Sequence, residues 1–174
     1  ALLSYHPEET RRVLELVRPL AATPGKVAYK FHPATKAADF TALLPPAPAL
    51  VATPLAEALA GASGVIGAGS GALAEAVSLG CPVLAARTPG EEVALALNYL
   101  PNFGEDTLWA NVETPEDVAP ALAALRAFQH SPEYATSKAA FTALLFTEPT
   151  PQSIAALLTL DPAFAPAPGA HAAH

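Results

Sequence analysis

Apolar residues in this chain fall in short unbroken runs, separated by polar breaks rich in Pro and Gly. Most breaks lead into a stretch whose apolar positions recur every three or four residues. The first pattern reads as buried strand and the second as amphipathic helix. Leu2–Tyr5 is thus a strand closing at His6-Pro7. A helix follows, with Pro7 near its first turn and Val13, Leu14, Leu16, Val17 and Leu20 on its buried side, and Thr23-Pro24-Gly25 stops it. Lys26–Phe31 is a second strand closing at His32-Pro33. A short helix is predicted over Thr35–Leu44, and Pro45, Pro46 and Pro48 mark a loop. Leu50–Ala52 is a third strand, and Thr53 is read as the N-cap of a helix through Ala60. Val65–Ala68 is the fourth strand, Gly69–Leu79 its helix, and Pro82–Ala86 the fifth strand. Helix is predicted over Glu91–Tyr99, strand over Thr107–Asn111, and a helix capped by Thr114 as far as Phe128. Two more helices are expected over Pro132–Phe146 and Pro151–Leu158, and a Pro/Ala-rich tail from Asp161 is expected to be disordered.

Strands alternating with helices imply an α/β fold. The expected architecture is a doubly wound, Rossmann-like parallel sheet of six strands in the order 3-2-1-4-5-6, with extra C-terminal helices. Residues 1–160 form one domain on this reading, and residues 161–174 the tail. In such a sheet the topological switch lies between strands one and four, and ligands bind at the carboxyl ends there. His6 closes strand one and Gly67–Gly71 close strand four, so both fall at the expected ligand position.

Composition narrows the chemistry. The chain has 174 residues, 52% hydrophobic and only 14% charged, with a net charge of −7. That excludes a disordered chain and a broad phosphate-backbone surface, so no nucleic-acid partner is expected. No apolar run reaches the ~18 residues of a membrane span, no signal peptide is visible, and one cysteine fits a reducing compartment. A cytoplasmic location is the expectation. No Cys/His cluster has zinc spacing, so no metal is expected. The chain has no methionine and opens abruptly on a strand. It reads as a piece of a longer protein, whose N-terminal partner domain is missing.

The densest chemistry lies in Val65–Leu84. A glycine turn that opens into a helix presents free backbone N–H groups, and the helix dipole adds positive potential at the same point. Gly69, Ser70, Gly71 and Ala72 are therefore candidate diphosphate contacts. Glu75 lies one turn further on the same side as Gly71, where a carboxylate can reach a ribose hydroxyl. It cannot close a capping box with Ser70, which would need the acid at position 73. His32 closes strand two with Lys30 and Lys36 beside it, a cationic pair for the same anion; His6 and Arg87 are further candidates. Each has a plainer reading, as helix cap, strand-end histidine or surface charge. Cys81 reads as inert packing, and the tail histidines His171 and His174 as composition alone. Ser70 lacks the glycine phase of a hydrolase nucleophile elbow.

Two ligand classes fit the turn. Gly67-x-Gly69-x-x-Ala72 matches the dinucleotide fingerprint, which would make the chain an NAD(P)-dependent dehydrogenase domain. Three strands precede it, however, and no acid closes strand five. The other class uses more of the chain. Ser70-Gly71-Ala72-Leu73-Ala74-Glu75, followed by Gly80-Cys81-Pro82-Val83-Leu84, closely resembles the C-terminal half of GT-B-fold glycosyltransferases. It is also similar to the non-hydrolysing UDP-N-acetylglucosamine 2-epimerases. Tyr29-Lys30-Phe31-His32-Pro33 looks like the K-x-H-P strand end of surface-polysaccharide glycosyltransferases, and Leu3–Glu9 occupies the place of the epimerases' T-x-H-R-x-E-N segment.

The resemblance spans roughly residues 2–128. It implies that the serine- and glycine-rich turn holds a nucleotide diphosphate, that Glu75 holds the ribose, and that Val51 and Thr53 line the base. It also implies a UDP- or CDP-type nucleotide-sugar donor as substrate and no obligatory cofactor or metal. Catalytic residues are not identified, because in that family the acceptor and base come from the N-terminal domain. The epimerases' Asp-Ser-Gly-Gly turn and T-E-R-P-E segment are here Gly69-Ser70-Gly71-Ala72 and Thr88-Pro89-Gly90-Glu91-Glu92. That favours a transferase-like domain, or a non-catalytic nucleotide- or protein-binding module of the same fold, over an epimerase.

Overall fold

The structure is a computed structural model and describes residues 1–87, 100–146, 148, 150 and 151. The helices expected over Glu91–Tyr99 and Pro151–Leu158, and the tail, lie outside the described residues. The elements in chain order are β1 (Leu2–Leu3), α1 (Pro7–Ala21), β2 (Ala28–Phe31), β3 (Ala49–Leu50), α2 (Leu55–Leu59), β4 (Val65–Gly67), α3 (Gly71–Ser78), β5 (Val83–Ala86), β6 (Trp109–Val112), α4 (Pro115–Phe128) and α5 (Tyr134–Leu145). The strands form one parallel sheet in the order β3-β2-β1-β4-β5-β6. Strand order and parallel pairing match the expectation.

Side chains alternate across the sheet with the two-residue strand period and build two cores. Leu3, Tyr29, Ile66, Leu84, Ala110 and Val112 face Val13, Leu14, Leu16 and Val17 of α1 and Val118 and Leu125 of α4. Val65, Val83, Ala85 and Trp109 face Leu73, Ala74, Ala76 and Val77 of α3 and Phe141 of α5. With α1 on one face and α3 on the other, their N-termini diverge above β1 and β4. That divergence opens the crevice of a doubly wound sheet.

Several boundaries differ from the sequence reading. β1 ends at Leu3 because Ser4 leaves the ladder: its hydroxyl accepts the His6 N–H (3.1 Å), and its carbonyl accepts from the Thr10 (2.7 Å) and Thr35 (3.1 Å) hydroxyls. The helix expected over Thr35–Leu44 is a single 3₁₀ turn, Ala37–Phe40. Pro54, not Thr53, caps α2: the Ala58 N–H bonds the Pro54 carbonyl (3.0 Å), so the helix starts one residue later. β6 begins at Trp109, after a tight turn in which Gly104 and Asp106 both have positive φ (87° and 61°).

Candidate functional site

α3 is short, and its two ends are built differently. At its start Ser70 has extended backbone, and its Oγ accepts the Ala72 N–H (3.2 Å). One orphan donor of the helix is thereby satisfied from within. Gly71, the first helical residue, has nothing within 4 Å of where a Cβ would stand. Among the described residues nothing fills the space where a Gly71 side chain would stand. Gly67, the first glycine of the fingerprint, has a different role. A Cβ there would lie 2.9 Å from a Leu73 methyl and 3.1 Å from the Leu2 carbonyl oxygen, so its glycine serves strand packing.

Glu75 lies one helical turn beyond Gly71 on the exposed face of α3, while Leu73, Ala74, Ala76 and Val77 are buried. Its carboxylate has no partner among the described residues. Gly71 and Glu75 share one exposed face of α3.

The neighbouring strand ends converge on the same edge of the sheet. The register Leu3↔Phe31 sets Ser4 beside His32, and His6, the residue before α1, follows two positions on at the same edge. The two histidines are linked through a residue that the motif reading passed over, Tyr5. Its ring centroid is 3.9 Å from that of His6 and 5.5 Å from that of His32, and the residue is 56% exposed. The available signal was the pairing of two strands that each end in His-Pro. His32 accepts the Ala34 N–H at Nδ1 (3.1 Å), which leaves Nε2 as the outward nitrogen. That bond orients the ring.

Lys30 is held. Its Nζ donates to the Thr53 carbonyl, so the ammonium ties β2 to the start of α2. Lys30 and Thr53 are thus brought together, and Val51 joins β2 through its N–H to the Tyr29 carbonyl (2.9 Å). Arg87 follows β5, its N–H bonded to the Val112 carbonyl (2.9 Å). The Arg87 carbonyl accepts from Arg12 Nε (2.9 Å), and Arg12 Nη2 donates to the Glu113 carbonyl. Arg12 was not singled out from sequence. It is a clip that holds α1 against the ends of β5 and β6, and nothing in its local sequence marks it.

The far end of α3 is structural. Gly80 has φ +86°, and the Gly80 and Cys81 N–H groups bond the Val77 and Ala76 carbonyls (both 2.9 Å). This is the left-handed helix stop that glycine favours. The Gly80 carbonyl accepts from Gln129 Nε2 (2.7 Å) and from the Tyr134 hydroxyl (3.2 Å). Cys81 is half-buried with Sγ 3.8 Å from the Leu59 carbonyl, and burial pushes its thiol pKa up, as inert packing requires. Among the described residues no group of His, Cys, Asp or Glu could hold a metal ion, and no helix is long and apolar enough to cross a membrane. The Thr88–Glu92 segment lies outside the described residues.

No protein-family model, curated protein or solved structure matches this chain. The fold is therefore established by its own topology.

Proposed function

We propose that this chain is the nucleotide-sugar-binding half of a GT-B-type glycosyltransferase, acting in the cytoplasm on precursors of a surface polysaccharide or glycoconjugate. The observation that carries the reading is the β4–α3 turn. It stands at the topological switch, opens to free space over Gly71, and is followed on the same face by the unpartnered Glu75.

The mechanism is electrostatic. The diphosphate of a UDP- or CDP-type donor sits over Gly69–Ala72. The Gly71 N–H and the Ser70 hydroxyl proton are the available donors, since the Ala72 N–H is already held by Ser70. His32 Nε2, and His6 beside it, face the same edge and add donors as negative charge grows on the departing diphosphate. Lys30, fixed on the Thr53 carbonyl, contributes field and not direct contact. Glu75 accepts from the ribose hydroxyls and sets the donor's orientation, and the backbone at Val51 and Thr53 borders the base. The acceptor and its base belong to a partner domain or chain that closes over this edge.

Isothermal titration with UDP, CDP, a UDP-sugar and NADPH in parallel tests the reading. Binding of a nucleoside diphosphate and its sugar, with NADPH silent, is the expected result. Binding of NADPH alone would turn the site into that of a dehydrogenase. Silence from all four would remove the nucleotide reading.

A further inference from the structure

A second site lies at the opposite end of the sheet, where the strands begin. A cavity of about 640 Å³ opens there between the end of α1, the entry to β2 and the proline loop before β3. That volume lies within the usual range for a small-molecule site. Val27, Leu43, Leu44 and Pro45 give it apolar walls.

Three polar side chains break that lining, Thr23, Tyr29 and Arg18, and the last two matter most. Tyr29 is 2% exposed and belongs to the core beneath α1. Its hydroxyl has no hydrogen-bond partner among the described residues, and its oxygen is not among the unpartnered atoms sealed inside the protein. It therefore opens onto the cavity. A buried phenol normally finds a partner, and this one is free to bond whatever occupies the cavity. Arg18, in the last turn of α1, is the only charged side chain on the cavity wall, and its guanidinium has no partner among the described residues.

We propose that this cavity binds an amphiphilic monocarboxylate, an apolar chain with one anionic head. Arg18 only donates, the Tyr29 hydroxyl can donate beside it, and no acid is on the wall, so an acceptor head is favoured, and a negative one most. The carbonyl end of α1 lies beside the cavity and by itself would repel an anion. Arg18 reverses that sign, so the carboxylate preference depends on one side chain. Burial raises the Tyr29 pKa, which keeps the phenol a donor across the working range. The site is distinct from the β4–α3 turn and does not depend on its nucleotide chemistry.

The test is calorimetric titration of the full chain with sodium octanoate, 1-octanol and octylamine, which share a tail and differ in the head. Octanoate should bind at least about tenfold more tightly than octanol, with octylamine weakest. Arg18→Gln should remove that advantage, leaving octanoate no better than octanol. Tyr29→Phe, which deletes only the hydroxyl, should weaken both octanoate and octanol several-fold. Ala42→Trp, placed on the exposed cavity wall, should abolish binding of all three while leaving thermal unfolding unchanged. Octylamine binding as tightly as octanoate, octanoate affinity unchanged in Arg18→Gln and Tyr29→Phe, or no octanoate binding at millimolar concentration would each overturn the proposal.

Discussion

The two ends of α3 both carry glycine, and they use it for opposite purposes. Gly80 sits at a left-handed helix stop, with its carbonyl gripped by Gln129 and Tyr134 from the C-terminal helices. Gly71 has ordinary helical geometry at the other end and touches nothing where a side chain would be. One glycine is required by the backbone and the other only leaves room. The family-like pattern that runs from Ser70 to Pro82 therefore mixes two constraints. Its second half is accounted for by folding alone, and only its first half is left for the proposed ligand.

The sharpest way to break that contrast is Gly80→Val. A β-branched residue at φ +86° is strained by about 1–2 kcal/mol. Its Cβ would also stand 3.1 Å from the Tyr134 hydroxyl and disturb two hydrogen bonds. A loss of about 2–4 kcal/mol in denaturant unfolding is expected. An unchanged midpoint would mean that this end is not a structural stop.

Glu75→Ala probes the other end. Its carboxylate has no protein partner, so unfolding should be unchanged. Binding of a nucleoside diphosphate should weaken about tenfold, roughly 1.4 kcal/mol, with inorganic diphosphate unaffected. Equal losses for both ligands would refute the ribose role.

Ser70→Ala lies between these cases. Loss of the cap should cost about 1 kcal/mol in stability, and diphosphate affinity should fall with it. Its partner in the series, Gly71→Ala, should shift stability by no more than a few tenths of a kcal/mol. It should nevertheless hinder a bound phosphate, because a methyl group enters the open space.

The smallest effect separates the start of α3 from that of α4. Ser70 is a neutral cap, whereas α4 relies on Asp117, whose pKa is held below its ordinary 3.8 by the Thr114 hydroxyl, then by the Thr114 and Glu113 N–H groups. Because the folded value is the lower one, this contribution is complete above about 3.8 and is lost as pH falls through the folded value. The stability gap between wild type and Asp117→Asn should hold at neutral pH and close in strong acid. A gap independent of pH would show that the carboxylate's charge is not what caps the helix.

Much of this was legible in the residues. Unbroken apolar runs such as Val65-Ile66 and Val83-Leu84 announce strands covered on both faces, and their alternation with helices fixes the winding. The diphosphate candidates Ser70 and Gly71 and the free acid Glu75 stand where the strand–turn–helix pattern puts them. What local pattern could not show arises from long-range partners. Ser4 leaves its strand because hydroxyls from Thr10 and Thr35 take its carbonyl. Lys30 is spent on Thr53, and Arg12 reaches carbonyls 75 and 101 residues away. Tyr29 reads as a strand aromatic until its hydroxyl is seen to lack a partner.

β1 has one further consequence. Only Leu2 and Leu3 make up this strand, yet it stands in the middle of the sheet, paired to β2 through Lys30 and Phe31 and to β4 through Gly67. Among the described residues, the ladder of β2 and β3 connects to that of β4, β5 and β6 only through this strand, while the core under α1 spans both sides. Folding must bring residue 2 between partners 28 and 65 positions away, so the central strand rests wholly on non-local pairing, the kind that carries the largest loop-closure cost. β1 lies beneath the crevice, so the edge that carries His6, His32 and the β4–α3 turn depends on its pairing to both neighbours.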